Sequence, residues 1–253
     1  MDKHYLGQRH TLSEMEHKYG PNVHILSDPA LFTYLARLCS PETRQPEINA
    51  LIKILYQALI HVVISHEFPR KPARVATRMA AKHPEANFTA ELVDRDQPTV
   101  CVDLARAGTY PSHLCFEALN YLLDPNLVRQ DHLFMSRQTD EKHQVIGAAS
   151  GGFKVGGGVG GSIVLIPDPM GATGSTVIQT LDLYKHGFHG SIPLGRAKKY
   201  IALHLIVTPE YLRNVQKQHS DLVIYALRLD RGLSAPEVLS SRPGEKWDQE
   251  RGL

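Results

Sequence analysis

Between Ile163 and Lys185 the chain reads Ile-Val-Leu-Ile-Pro-Asp-Pro-Met-Gly-Ala-Thr-Gly-Ser-Thr-Val-Ile-Gln-Thr-Leu-Asp-Leu-Tyr-Lys, and the middle of this stretch holds the residue types that grip a phosphate. Gly171 and Gly174 permit positive φ and close backbone approach, Ala172 adds little bulk, and Thr173, Ser175 and Thr176 supply hydroxyl donors. Asp168, followed by Pro169 and Met170, offers a carboxylate suited to a sugar hydroxyl or a metal-bound water.

The flanking residues predict how that loop is held. Ile163, Val164, Leu165 and Ile166 form a short, mostly β-branched run, the pattern of a strand buried on both faces of a parallel sheet. Val177, Ile178, Leu181 and Leu183 then fall at helical spacing. A strand-to-helix loop gathers free N–H groups and the positive end of a helix dipole at one point, where a phosphate dianion is stabilised. The lysine of a nucleotide-triphosphate loop is missing, and the Gly-x-Gly-x-x-Gly spacing of a dinucleotide fold is not met. The residues point to a different phosphate ester, against the alternative of a glycine turn without a ligand.

Two other strand ends carry cations. Thr99 to Leu104 reads as a second buried strand running into Ala105-Arg106-Ala107-Gly108 before a helix near Pro111. An arginine beside small residues at the carboxyl end of a parallel strand suits an anionic group; a surface ion-pair residue is the alternative. Asp131 to Met135 reads as a third strand, followed by a charged segment from Ser136 to Lys142 that carries Arg137 and is expected to be a mobile loop rather than an ordinary hairpin turn.

These motifs resemble the type I phosphoribosyltransferases, most closely the uracil phosphoribosyltransferases. The family signature Asp-Pro-Met-x-Ala-Thr-Gly-Gly-Ser is matched from Asp168 to Thr176, with Ser175 in place of the second glycine and Thr176 in place of the serine. Arg106-Ala107-Gly108 matches its Leu-Arg-Ala-Gly loop, and Met135 and Arg137 align with its Met-x-Arg segment. Val207-Thr208-Pro209-Glu210, His219-Ser220-Asp221-Leu222 and Asp230-Arg231-Gly232-Leu233 continue the similarity.

The resemblance implies transfer of a 5-phosphoribosyl group from phosphoribosyl pyrophosphate to a nucleobase, with Mg²⁺ bound to the substrate. In that scheme Asp168 holds the ribose hydroxyls, Gly171 to Thr176 hold the 5′-phosphate, and Arg106, Ala107, Gly108 and Arg137 hold the leaving pyrophosphate. Uracil is the expected base, giving UMP in pyrimidine salvage. Family members recognise uracil through a later segment, Tyr-Ile-x-Pro-Gly-x-Gly-Asp-Ala-Gly-Asp, which Ser234 to Leu253 does not repeat. A non-catalytic sensor of phosphoribosyl pyrophosphate or nucleotide, or a transferase for another base, therefore stands as the alternative.

Composition fits this picture. The 253 residues are 42% hydrophobic and 21% charged, ordinary for a globular chain. A net charge of +2, with Lys and Arg spread along the chain, makes no case for nucleic acid, whereas small anions remain suitable partners. Cys39, Cys101 and Cys115 lack metal-ligand spacing and read as reduced, mostly buried thiols, pointing to the cytoplasm. No apolar run approaches the roughly 20 residues of a membrane span. The fourteen histidines, His186 and His189 included, show no metal-binding spacing.

The expected fold is an α/β domain: a mostly parallel twisted sheet with strands near 99–104, 131–135, 163–167, 200–207 and 222–229, flanked by helices, over residues 67–253. Residues 1–66 are expected to be an arm and helices that pack on the domain or make a homodimer. Within them, Leu12 to Tyr19 reads as an arm or short helix, and Pro46 to His66 as the strongest helix in the chain. Arg70, Lys71, Arg74 and Arg78 read as a solvated loop, with a role near an acidic ligand as the alternative, and Phe88 to Val93 as an edge strand. The eight glycines between Gly147 and Ser162 read as a flexible connector.

Overall fold

Continuous apolar runs set the centre of the molecule, because a strand covered on both faces needs no polar side. The computed structural model describes residues 5–7, 9–139, 145–187 and 194–233. In chain order the strands are β1 (Val23–Ile25), β2 (Arg70–Ala76), β3 (Asn87–Val93), β4 (Thr99–Ala105), β5 (Val128–Thr139), β6 (Val145–Lys154), β7 (Ile163–Pro167), β8 (Met170–Gly171), β9 (Lys199–Val207) and β10 (Leu222–Leu229). The main sheet runs β1-β10-β9-β7-β4-β5-β6, with β8 paired to β9. All its pairings are parallel except β5 with β6. The hairpin β2-β3 forms a separate antiparallel sheet.

Alternation along the strands divides the core into two layers. Helices α1 (Pro29–Leu38), α2 (Glu47–Glu67) and α3 (Thr109–Leu122) cover one face. There Tyr56, Leu59, Val63 and Leu119 pack with Cys101, Leu165, Ile201 and Tyr225. Helices α4 (Ser175–His186) and α5 (Pro209–Gln218) cover the other. There Val177, Leu181, Tyr184, Tyr211 and Leu212 pack with Val100, Val164, Ile166 and Ala202. Asp28 caps α1 by accepting from the N–H groups of Ala30 (2.9 Å) and Leu31 (3.1 Å). By length and composition α2 does reach the size of a membrane span, contrary to the expectation from the sequence. Seven of its residues are nonetheless buried, Leu55, Tyr56 and Leu59 completely.

Several expectations change. Leu12 to Tyr19 is not helical; Glu14 forms a bridge with Leu26 instead. The basic residues Arg70, Lys71 and Arg74 lie in strand β2, not a loop. The segment after Met135 continues as strand to Thr139, and much of the glycine-rich stretch is its partner β6. Glycine backbone can still pair but carries no side chain, so that strand leaves no apolar alternation to read. The later glycines wrap a polar knot: Arg129 donates to the carbonyls of Gly157 (2.7 Å) and Gly158 (2.9 Å), and the Gly156 N–H donates to Asp131 (2.9 Å). Of the thiols, Cys101 and Cys115 are buried and Cys39 is exposed. The expected turn at Gly187 to Gly190, with His189, and the tail from Ser234 lie largely outside the described residues.

Candidate active site

The carboxyl ends of three adjacent strands, β7, β4 and β5, bring the predicted loops to one edge of the sheet, where parallel sheets bind ligands. Asp168 follows β7, Arg106 follows β4, and Arg137 lies in the extension of β5, paired with Ala148. The Arg137 side chain lies outside the described residues.

Neighbouring loops are in contact through Gly108. A Cβ there would lie 2.8 Å from the carbonyl oxygen of Leu104 and 2.9 Å from that of Pro167, so only glycine lets the turn after β4 close against the end of β7. The peptide between Ala105 and Arg106 is cis. Arg106 and Ala107 are exposed. Among the described residues the Arg106 guanidinium has no ion-pair or hydrogen-bond partner, which disfavours the surface ion-pair alternative.

From Asp168 to Thr176 the loop is tied down by its carbonyl groups. Leu205 and Ile206 donate to Pro169 O (3.0 and 3.1 Å), Thr208 N–H donates to Gly171 O (2.9 Å), and the Thr208 hydroxyl donates to Ala172 O (2.6 Å). The Asn214 amide donates to Thr173 O at 3.0 Å. With its carbonyls turned toward β9 and α5, the loop keeps its amides unengaged: among the described residues no hydrogen bond uses the N–H groups of Thr173, Gly174, Ser175 or Thr176. Gly174, the N-cap of α4, has φ +86° and supplies no side-chain cap. Beside these amides, the hydroxyls of Thr173 and Ser175 lie 3.2 Å apart. This arrangement, with the dipole of a twelve-residue helix behind it, suits an anion. Met170 is exposed at the rim, and Gly171 is buried against Val207 and Tyr211, where a Cβ would come within 3.0 Å.

Asp168 is half-buried, and its main chain is clamped from β9. Its N–H donates to Leu203 O (3.0 Å) and its carbonyl oxygen accepts from His204 Nδ1 (2.6 Å). Because a carbonyl only accepts, Nδ1 of His204 carries the proton and Nε2 accepts from the Tyr211 hydroxyl at 2.6 Å. Burial pushes the His204 pKa down to about 4, so the ring is neutral. Burial, and then the Asp168 charge, push the Tyr56 and Tyr211 phenols well up, so both remain neutral beside the carboxylate.

His204 was not singled out by the sequence, since no motif surrounds it. Asp103 and His132 were missed as well. They face each other across β4 and β5, with His132 Nδ1 2.9 Å from one Asp103 carboxylate oxygen while the other is buried without a partner among the described residues. Only strand register brings these two residues together. A separate pocket, lined by Lys185, Arg196, Lys198, Lys199 and Tyr200, lies at the opposite, amino-terminal edge and contains none of the predicted residues.

The comparisons agree with this geometry. The family model described as uracil phosphoribosyltransferase matches residues 25–245. The uracil phosphoribosyltransferase of Thermosipho africanus is 36% identical over 35% of this chain, and the match spans only 38% of that protein's length. The solved structure of the AQ2163 protein from Aquifex aeolicus superposes with a TM-score of 0.65 at 19% identity, over 84% of this chain and 89% of that one. An adenine phosphoribosyltransferase from Trypanosoma brucei superposes with a TM-score of 0.51 at 14% identity, over 87% of each chain. The mostly parallel sheet flanked by helices is thus the phosphoribosyltransferase fold, and the chain belongs to the uracil phosphoribosyltransferase family.

Proposed function

We propose that the protein transfers a 5-phosphoribosyl group from phosphoribosyl pyrophosphate to uracil, forming UMP and pyrophosphate. The observation that carries this is the row of amides from Thr173 to Thr176 at the start of α4, one strand away from Arg106, all without a hydrogen-bond partner among the described residues. The amides suit a 5′-phosphate, and Arg106, at the end of the adjacent strand, suits a diphosphate on the same sugar.

No side chain needs to attack the sugar. Breaking the bond from the anomeric carbon to pyrophosphate places negative charge on the leaving group and positive charge on the ring. Arg106, joined by Arg137, stabilises the leaving group most where its charge is greatest, in the transition state. Asp168 orients the ribose hydroxyls and sits where its carboxylate offsets the positive ring. Its carboxylate oxygens would suit Mg²⁺ brought in with the substrate, which would supply charge neutralisation at the leaving group. His204, neutral and buried, keeps the Asp168 backbone in place.

The same proposal has the protein act in pyrimidine salvage, in the cytoplasm, as a homo-oligomer open to a nucleotide effector. The free thiols fit a reducing compartment. Incubation with Mg²⁺, phosphoribosyl pyrophosphate and uracil should release pyrophosphate and UMP in equal amounts. Tight binding of phosphoribosyl pyrophosphate without turnover on any base would instead identify a sensor, and turnover with adenine or guanine in place of uracil would reassign the acceptor.

A further inference from the structure

Away from the catalytic edge, the end of α2 meets β1 and β10 in a cluster of titratable groups that phosphoribosyl transfer does not use. One ring nitrogen of His24, one of His66 and a carboxylate oxygen of Glu67 lie within 4.8 Å of one another. His24 stacks on the Tyr225 ring with centroids 4.5 Å apart, and the two imidazoles meet edge to face at 5.3 Å.

Each member is oriented by a partner outside the trio. His24 Nδ1 donates to Glu14 Oε2 at 3.0 Å. The Tyr225 hydroxyl donates to Glu67 Oε1 (2.7 Å) and is hydrogen-bonded to His66 Nδ1. Lys199 donates to the other Glu67 oxygen, Oε2, at 2.6 Å. Each histidine thus has one ring nitrogen fixed by a neighbour and a second left for a ligand, while Glu67 has both oxygens held, Oε1 by Tyr225 and Oε2 by Lys199, and offers an ion the second lone pair of Oε1. Leaving the imidazoles aside, Glu14 and Glu67 against Lys199 leave one net negative charge, which favours a cation. The His24 side chain is 12% exposed and that of His66 33%, so an ion can reach them from solvent.

We propose that His24, His66 and Glu67 form a binding site for a divalent transition metal of the Zn²⁺ type, coordinated through one nitrogen of each histidine and Oε1 of Glu67, with Glu14 and Lys199 as orienting partners. Imidazole donors select zinc-like ions over Mg²⁺, whose all-oxygen preference this cluster does not meet. The ion would join three pieces of chain that approach separately: β1, the end of α2 and, through Tyr225, β10. It would stabilise the fold and is independent of the phosphoribosyl site.

Zinc titration by calorimetry into chelator-treated protein tests this, with thermal unfolding followed in the same samples. One equivalent of Zn²⁺ should bind and raise Tm, with no comparable effect of Mg²⁺. His24→Gln and His66→Gln should each abolish that event, and Glu14→Gln should weaken it by about 10–100-fold. Co²⁺ substituted into the unaltered protein should show the visible absorption of a tetrahedral nitrogen and oxygen site, a readout that needs no variant to fold. Absence of a zinc-dependent Tm shift, or undiminished zinc binding in the His24→Gln/His66→Gln double variant, would overturn the proposal.

Discussion

The His204 imidazole donates its Nδ1–H to the main-chain carbonyl of Asp168 at 2.6 Å, so the residue expected to hold the ribose is fixed by a neutral ring buried beneath it. Replacing His204 with Ala removes the hydrogen bond to that carbonyl and takes from the buried Tyr211 hydroxyl its 2.6 Å acceptor, and an unsatisfied buried group costs about 1–3 kcal/mol. We expect His204→Ala to lower Tm and to reduce kcat, because Asp168 loses its orientation. Denaturant unfolding and steady-state kinetics on the same preparation check both effects.

The same ring gives a pH dependence of definite sign. Its folded pKa of about 4 lies below the ordinary value of 6.5, so the unfolded chain binds more protons between these values. Stability is therefore fully present above about pH 6.5 and is lost as pH falls toward 4, by at most about 3 kcal/mol from this group. His219, also pushed down by burial and by Lys185, acts in the same direction. Unfolding free energy measured from pH 7.5 to 4.5 should fall, and the slope should be shallower in His204→Gln.

Gly108 and Gly174 are required for different reasons. At Gly108 the obstacle is rigid backbone, the carbonyls of Leu104 and Pro167, so Gly108→Ala must part the ends of β4 and β7. At Gly174 it is a positive φ together with the Val215 side chain, 2.7 Å from an added Cβ. Either alanine should cost about 1–3 kcal/mol. Gly108→Ala should also weaken phosphoribosyl pyrophosphate binding, which calorimetry with the intact substrate will detect.

Sequence patterns made the centre of the fold readable and its polar joints unreadable. The buried runs of β4, β7, β9 and β10 and the loop from Asp168 to Thr176 are local signals, because strand, turn and helix follow one another along the chain. β6 was hidden because Gly147, Gly151 and Gly152 carry no side chains to alternate. The His204 clamp and the Asp131 knot join residues 36 and 53 positions apart, so spacing cannot reveal them. Arg106 was legible as a charged residue at a strand end, but that it has no ion-pair partner among the described residues depends on neighbours distant in sequence.

Arg106 and Arg137 should separate catalysis from folding. Arg106 is exposed and unpaired among the described residues, so Arg106→Ala should leave Tm within the small range usual for surface changes while reducing kcat by about 10²–10³-fold. Arg137→Ala should likewise cost mainly turnover. Asp168→Ala should abolish measurable transfer; wild-type turnover in that variant would refute the assignment.

Asp131 supplies the opposite case, a fully buried charge remote in role from the substrate. It accepts from Arg129 Nε (3.0 Å), the Gly156 N–H (2.9 Å) and the Tyr184 hydroxyl (2.7 Å), joining β5, the chain after β6 and helix α4. Removing the carboxylate deletes its hydrogen bond with Tyr184 and its ion pair with Arg129, which also holds the carbonyls of Gly157 and Gly158. Loss of one partner from such a network costs about 3–5 kcal/mol when both charges are buried. Because the Arg129 side chain is 30% exposed, Asp131→Ala should fall toward the lower end of that range. Asp131→Asn keeps an acceptor for Tyr184 and should recover part of the loss. Chemical denaturation of the two variants measures the difference, and equal stability of Asp131→Ala and the unaltered protein would show that the glycine segment is held by other contacts.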